Sequence, residues 1–236
     1  MGFQAGGAAQ EYFALPAVNV LKLADDLSLD EAAMIEPLAV TVHALRRGGD
    51  IVGKKVLVLG AGPIGNLTAQ VAKLLGADEV MITDVSAYKV SKALECGIDH
   101  VVNTRQKNLS EAINTYFGPT KADLILECVG VEETMTDAIL NARKGTSIVV
   151  VGVFGKKPQV NLGLVQDREL SLIGTLMYQQ TDYETAIQLV ASRKLKLAEM
   201  ITHRFAFDHY LDAYHMIETS KGEYLKVMID LPESGV

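Results

Sequence analysis

The feature that most constrains the fold is a regular alternation of short apolar runs with helical patterns in the middle of the chain. The runs are continuously apolar, which is typical of strands that are covered on both faces. Strands that alternate with helices in this way form a parallel sheet with helices on both sides. The predicted strands are Lys55–Leu59, Glu79–Thr83, His100–Val102, Asp123–Val129, Ser147–Val153 and Leu170–Leu176. The predicted helices between them are Ile64–Leu75, Ser86–Glu95, Leu109–Phe117 and Glu132–Ala142.

A glycine-rich turn joins the first predicted strand to the helix that follows it. It has the sequence Gly60-Ala61-Gly62-Pro63-Ile64-Gly65, a G-x-G-x-x-G pattern that is weak alone but specific between a strand and a helix. Gly60 permits a tight turn, Gly62 lets the backbone approach a diphosphate, and Gly65 lets the helix and strand pack closely. A diphosphate would then lie on the free N–H groups at the positive end of the helix.

A carboxylate follows at the position where such a site needs one. Asp84 comes directly after the second predicted strand, about 20 residues after the turn, where an acid binds the adenosine ribose and repels a 2′-phosphate. Lys89 is the first basic residue downstream of it, so the pattern predicts NAD rather than NADP as cofactor. The alternative is a glycine turn in a similar domain that binds another ligand, such as S-adenosylmethionine, or none.

Composition argues against several other classes of protein. The chain has 22 Lys and Arg against 29 Asp and Glu, and its net charge of −7 argues against nucleic acid or an anionic membrane as a partner. The longest apolar run, Ile148 to Phe154, is far shorter than the roughly 20 residues that span a bilayer. Two cysteines, Cys96 and Cys128, form neither a disulfide framework nor, alone, a structural zinc site. Since no signal-peptide pattern is visible, we expect a cytoplasmic location.

The two ends of the chain differ in pattern from the middle. Strand-like fragments are predicted at Ala9–Leu15 and Val18–Leu23, and Gly155–Glu169 carries no strong helical pattern. In the tail we predict a helix at 182–193, a polar strand at Ile201–Phe207, a helix at Asp208–Thr219 and a last strand at Leu225–Ile229. The head and tail are expected to pack together as a second, incomplete domain.

Five motifs occur in the order and spacing of one known family. They are Ile35-Glu36-Pro37-Leu38-Ala39-Val40, Gly60–Gly65, Thr83-Asp84-Val85-Ser86, Glu127-Cys128-Val129-Gly130 and Thr202-His203-Arg204-Phe205. From about Ala8 onward the chain closely resembles the medium-chain, zinc-dependent alcohol and polyol dehydrogenases, the sorbitol (L-iditol) dehydrogenases in particular. The resemblance implies hydride transfer from a polyol or secondary alcohol to NAD, with zinc stabilising the alkoxide as a Lewis acid.

The resemblance also implies roles for individual residues. The cofactor-binding residues would be Gly60, Gly62, Pro63, Ile64, Gly65, Asp84 and Lys89 at the adenosine and diphosphate end, and Val151, Gly152, Val153, Thr175, Leu176 and Met177 at the nicotinamide end. Glu36 matches a carboxylate beside the catalytic zinc, which binds metal, its water or substrate, and Tyr178 matches a substrate-pocket position. The sorbitol enzymes carry Arg where this chain has Met177, which favours the wider polyol and secondary-alcohol class over sorbitol itself. No catalytic residue is assigned.

By this resemblance, we expect the chain to be without the GroES-like domain that supplies a Cys, a His and an acid to the catalytic zinc of the family. We therefore expect zinc in intact members of the family but not on this chain, because Glu36 alone would lack the three protein ligands of a catalytic site. A catalytically incompetent NAD-binding fragment or module is the alternative to an active dehydrogenase. For Glu36 itself, a helix N-terminal acid is the alternative to a site residue.

The expected fold is a doubly wound parallel Rossmann sheet over residues 37–176, with strand order 3-2-1-4-5-6. Residues 1–36 and 177–236 would be remnants of a β-rich catalytic domain. Since exposed strand edges seek partners, we also expect a homo-oligomer, a dimer or larger.

Overall fold

The computed structural model of the chain describes residues 6–10 and 12–231, with a six-stranded parallel sheet at its centre. The strands are β1 (Lys55–Leu59), β2 (Glu79–Asp84), β3 (His100–Asn103), β4 (Leu124–Glu127), β5 (Ser147–Val150) and β6 (Ser171–Gly174). Their order in the sheet is β3-β2-β1-β4-β5-β6, so the predicted doubly wound order is confirmed. The order reverses between β1 and β4, where Leu59 registers with Glu127.

Helices cover both faces of this sheet. They are α1 (Leu29–Arg47), α2 (Pro63–Leu74), α3 (Ala87–Glu95), α4 (Leu109–Tyr116), α5 (Glu132–Asn141), α6 (Leu162–Asp167) and α7 (Gln180–Ala191). A further helix, α8 (Tyr210–Thr219), lies in the tail and packs on the strands there. Val56 and Val58 of β1 belong to the buried cluster that contains α1 and α2, whereas Leu57 and Leu59 belong to the cluster that contains α4 and α5. This burial on two faces is the reason that the strand sequences are continuously apolar.

Helix α1 begins at a capping box and continues through a proline. The Ser28 side chain accepts a hydrogen bond from the Glu31 N–H, and the Glu31 carboxylate accepts one from the Ser28 N–H at 2.9 Å. Pro37 lies inside the helix, where it supplies no N–H donor. The helix nevertheless continues, because Ile35 before the proline and Leu38 and Ala39 after it are buried in the core. The predicted boundary between residues 36 and 37 falls within α1, and the division into 1–36, 37–176 and 177–236 stays a prediction.

The predicted strands in the head were wrong over the described residues. Between residues 12 and 28 the chain forms one 3-10 turn, Ala17–Asn19, and no strand. Tyr12 is 83% exposed and Val18 is 81% exposed, and no described strand pairs with this segment. Strand-forming side chains do not make a strand without a neighbour for the backbone. Glu11, within the predicted strand Ala9–Leu15, lies outside the described residues.

The tail follows its predicted order of elements. Strands β7 (Ile201–Ala206) and β8 (Lys226–Asp230) form a separate two-stranded parallel sheet, and α8 lies between them in the chain. Helix α6 was missed, because a helix this short gives too few turns for a periodic pattern; Asn161 begins it by accepting a hydrogen bond from the Leu164 N–H. Among the helices of the described residues, none has the length and apolar character needed to cross a membrane.

Candidate dinucleotide site

The glycine turn lies at the carboxyl end of β1, where the order of the sheet reverses. Gly60 has a φ of 99°, a left-handed conformation, and its N–H donates to the Thr83 carbonyl at 2.8 Å. A Cβ added at Gly65 would lie 1.8 Å from the Gly60 carbonyl oxygen, so a side chain there would displace the turn. Gly62 differs, because a Cβ added there would meet nothing within 4 Å. Open space therefore lies over the start of α2, whose first residue is Pro63.

Asp84 is held beside this turn by two backbone hydrogen bonds. Its Oδ2 accepts from the Ala61 N–H and its Oδ1 accepts from the Ser86 N–H, each at 2.8 Å. Ser86 in turn caps α3 by accepting from the Lys89 N–H at 3.4 Å. The hydrogen bonds of Asp84 thus join the loop that follows β1 to the loop that follows β2. Each carboxylate oxygen of Asp84 has a further lone pair with which to bind a hydroxyl group.

The predicted nicotinamide end lies at the carboxyl ends of β5 and β6. The segment Val151-Gly152-Val153 follows β5 directly, and Thr175-Leu176-Met177 follows β6. Val153 is 85% exposed and Leu176 is 78% exposed, whereas Thr175 Oγ1 is buried without a hydrogen-bond partner in the described structure. Because the carboxyl ends of parallel strands meet at one edge of a sheet, the fold brings both halves of the predicted cofactor site to the same edge.

Glu127 lies at this edge, and sequence reasoning assigned it no role. It ends β4 and is fully buried. Its Oε1 accepts hydrogen bonds from the Val129 and Gly130 N–H groups, both at 2.9 Å, and from the Thr134 hydroxyl at 2.7 Å. A charged residue at the end of an apolar strand was the signal that could have revealed it, because acids are rarely fully buried unless they are paired.

Glu36 lies within α1 and is exposed, past the first turn of the helix. The alternative interpretation of Glu36 as a helix N-terminal acid is therefore wrong, since the helix dipole acts within the first turn. Tyr178 is half-buried, and its ring centroid lies 5.4 Å from that of Tyr183. Burial, together with the nearby charge of Glu36, raises the pKa of both tyrosines. The fold thus brings the two predicted substrate residues into one neighbourhood.

Asp182, in the first turn of α7, fixes the start of this helix a few residues after Met177 and Tyr178. Its Oδ2 accepts from the Gln179 N–H at 2.9 Å and lies 2.8 Å from His43 Nδ1, and its Oδ1 pairs with Arg46. Burial raises the pKa of Asp182, but hydrogen bonds from Gln179, Arg46 and His43 outweigh it and leave the pKa below its usual value. These bonds join the start of α7 to α1, close in sequence to the predicted nicotinamide-binding segment Thr175–Met177.

The described residues do not fit a catalytic zinc. Over residues 6–10 and 12–231, no group of three or more His, Cys, Asp or Glu side chains is arranged to hold a metal ion. Burial raises the pKa of the Cys96 thiol to about 11 and raises that of Cys128 as well. Both shifts disfavour the thiolate form that binds metals.

Comparison with known proteins identifies the family. The profile of the zinc-binding dehydrogenases matches residues 63–192. The chain belongs to this family. This zinc-binding dehydrogenase is 38% identical over 210 residues to sorbitol dehydrogenase of Homo sapiens. The aligned region covers 88% of the chain and 58% of the human protein. It is also 34% identical over 231 residues to D-xylulose reductase of Saccharomyces cerevisiae, and this alignment covers 96% of the chain and 65% of the yeast protein. The chain thus spans less than two thirds of the length of these curated relatives.

Solved structures of zinc-binding dehydrogenases and related enzymes share the fold. One, from Sinorhizobium meliloti 1021, is bound to NADP; it is 30% identical with a TM-score of 0.80, over 89% of this chain and 62% of its own. Another, described as a short chain alcohol dehydrogenase from Escherichia coli CFT073, is complexed with NADH; it is 28% identical with a TM-score of 0.82, over 90% of this chain and 63% of its own. The predicted family is confirmed, and it is one of NAD(P)-binding dehydrogenases.

Proposed function

We propose that this chain binds NAD and forms the dinucleotide-binding part of a dehydrogenase that oxidises a polyol or secondary alcohol to a ketone. The observation that carries the proposal is the carboxylate of Asp84, bonded to Ala61 within a glycine turn that leaves open space over Gly62. A diphosphate needs that space, and a ribose needs that carboxylate. The identity with sorbitol dehydrogenase and D-xylulose reductase supports the polyol class.

The preference for NAD over NADP rests on the charge of Asp84. A 2′-phosphate would approach this carboxylate, and like charges repel in a half-buried position. The family includes an NADP-bound structure, so membership of the family does not decide between the two cofactors.

In the proposed complex, NAD supplies a nicotinamide ring that accepts a hydride. The amides at the start of α2 bind the diphosphate, Asp84 orients the adenosine ribose, and Lys89 contributes positive charge nearby. The segments Val151–Val153 and Thr175–Met177 line the nicotinamide, where the buried Thr175 hydroxyl is free to form a hydrogen bond. Glu36 and Tyr178 contact the substrate, while zinc requires ligands beyond the described residues.

The second candidate function is an NAD-binding module without catalysis. The absence of a metal-binding group over the described residues favours it for the isolated chain. For either function we propose a cytoplasmic location and a homo-oligomer, as predicted from the sequence.

Calorimetric titration of the purified chain with NADH, NADPH and S-adenosylmethionine tests the proposal. We expect NADH to bind more tightly than NADPH, and S-adenosylmethionine not to bind. Asp84→Asn should weaken NADH binding about tenfold, since a hydrogen bond to a charged group is lost. The matched control is Asp50→Asn, an exposed acid whose carboxylate accepts only from the nearby Val52 N–H, and it should leave binding unchanged.

A chain that binds neither NADH nor NADPH would contradict the proposal. Oxidation of sorbitol or xylitol by the isolated chain, with one equivalent of bound zinc, would exclude the second candidate function.

A further inference from the structure

At the nicotinamide end of the proposed site, the segment that follows β5 packs against the loop between β4 and α5. A Cβ added at Gly152 would lie 2.2 Å from the Gly130 nitrogen and 2.7 Å from Glu127 Oε2. A Cβ added at Gly130 would lie 2.5 Å from the Val153 carbonyl oxygen. The segment that follows β5 is therefore in direct van der Waals contact with the segment that follows β4, and neither has room to shift toward the other.

Glu127 bonds to both of these segments. Its main-chain carbonyl accepts from the Val151 N–H at 2.8 Å and from the Gly152 N–H at 2.9 Å. Its side chain accepts from the Val129 and Gly130 N–H groups and from Thr134 at the start of α5. One fully buried residue thus fixes the segment 151–152 through its backbone and the turn 129–130 through its carboxylate.

The bonding of this carboxylate is uneven. Oε1 accepts three hydrogen bonds, whereas the buried Oε2 has no partner among the described residues. The hydrogen bonds require one acceptor oxygen, which an amide would also supply, and the positive end of α5 favours an acceptor at this place. Truncation would leave the buried Gly130 N–H and the partly buried Val129 N–H unpaired, which is costly, so the turn would move to find partners.

We propose that Glu127 is a positioning residue for the nicotinamide half of the cofactor, acting through the hydrogen bonds that its Oε1 accepts. The inference rests on the proposed function. Among the described residues, the Glu127 side chain forms no hydrogen bond with the glycine turn or with Asp84, and its only link to that turn is the packing of Val129 against Gly60. We therefore expect its hydrogen bonds to act mainly on the nicotinamide half of the dinucleotide.

The test compares NADH with ADP-ribose, which lacks the nicotinamide. Calorimetry on the full chain should show that Glu127→Ala weakens NADH binding about tenfold, because the donors that bond to Oε1 lose their acceptor, and leaves ADP-ribose binding within about twofold. Glu127→Gln keeps an acceptor oxygen and should retain the wild-type ratio of the two affinities. The matched control is Glu133→Ala, which removes an exposed acid in the first turn of α5 and should change neither affinity.

Thr134→Val serves if Glu127→Ala does not fold, since it removes one of the three donors and keeps the shape of the side chain. It should lower NADH affinity about threefold without changing ADP-ribose affinity. Equal losses for both ligands, no loss for NADH, or a loss in Glu127→Gln as large as that in Glu127→Ala would overturn the inference. A wild-type chain that binds neither ligand would instead refute the proposed function, so the two failures are distinguishable.

Discussion

The two ends of the candidate site differ in how their parts are distributed along the chain. At the adenosine end, the glycine turn and Asp84 belong to one strand–helix–strand unit, β1 to β2. At the nicotinamide end, Glu127 ends β4, Val151–Val153 follows β5 and Thr175–Met177 follows β6, so the members come from three different strands. The first end is therefore a local motif, whereas the second is an assembly whose members meet only when the sheet is formed. Substitutions at the two ends should consequently fail in different ways.

The largest expected effect on stability is at the adenosine end. Gly65→Ala places a methyl group against the Gly60 carbonyl, a backbone atom that cannot swing aside. We expect a loss of at least about 3 kcal/mol of unfolding free energy, measured by urea denaturation. Gly155→Ala is the control, because a Cβ there meets nothing within 4 Å, and it should change stability by less than about 0.5 kcal/mol. Wild-type stability in Gly65→Ala would show that the turn is not constrained as described.

An intermediate loss of unfolding free energy is expected at Asp182, at the start of α7 and close in sequence to the nicotinamide end. Asp182→Asn removes the negative charge and one of the two buried oxygens that accept from His43, Arg46 and the Gln179 N–H, and should cost about 2 kcal/mol at pH 7. The pKa of Asp182 is lowered in the folded state, so its contribution is present above the unfolded value near 3.9. This contribution is lost as the pH falls through the lower folded value.

Urea denaturation between pH 5 and pH 3 measures that loss. The difference in stability between wild type and Asp182→Asn should shrink below about pH 4, whereas Asp50→Asn should show no such trend. A constant difference down to pH 3 would mean that the carboxylate charge does not hold α7 against α1.

The smallest effect on stability, with a clear effect on binding, is expected at Gly62. A methyl group fits there without a clash, so Gly62→Ala should alter unfolding free energy by less than about 1 kcal/mol. The same methyl group would occupy the space of the diphosphate and should weaken NADH binding about tenfold. Because ADP-ribose carries the same diphosphate, its affinity should fall by an equal factor. If only NADH were affected, the division of the site into two halves would be incorrect.

Part of the structure was open to sequence reasoning because its causes are local. Gly60 must adopt a positive φ, Gly65 must lack a side chain, and Asp84 ends the strand beside them. Each requirement involves residues of one supersecondary unit, and each leaves a mark in residue type and spacing. The sheet order follows in the same manner from the alternation of buried strands and helices.

Other features left no such mark. Residues 12–20 have strand-like composition, but no strand in the described part of the chain pairs with them. Pro37 lies inside a helix that continues past it because nearby residues are buried. Glu127 belongs to a motif that the sequence displayed, yet the role we propose for it depends on the contact between Gly130 and Gly152. That contact exists only because β4 and β5 are adjacent in the sheet.

The sequence by itself determined the family, the strand order and the adenosine half of the site, because steric limits at glycine and the period of burial act over a few residues. The tertiary structure decided which groups meet at the nicotinamide end: the buried carboxylate of Glu127, the free hydroxyl of Thr175 and the Asp182 network that begins α7. These groups are far apart along the chain. Their meeting depends on which strands pair and which helices pack, and no local pattern encodes that.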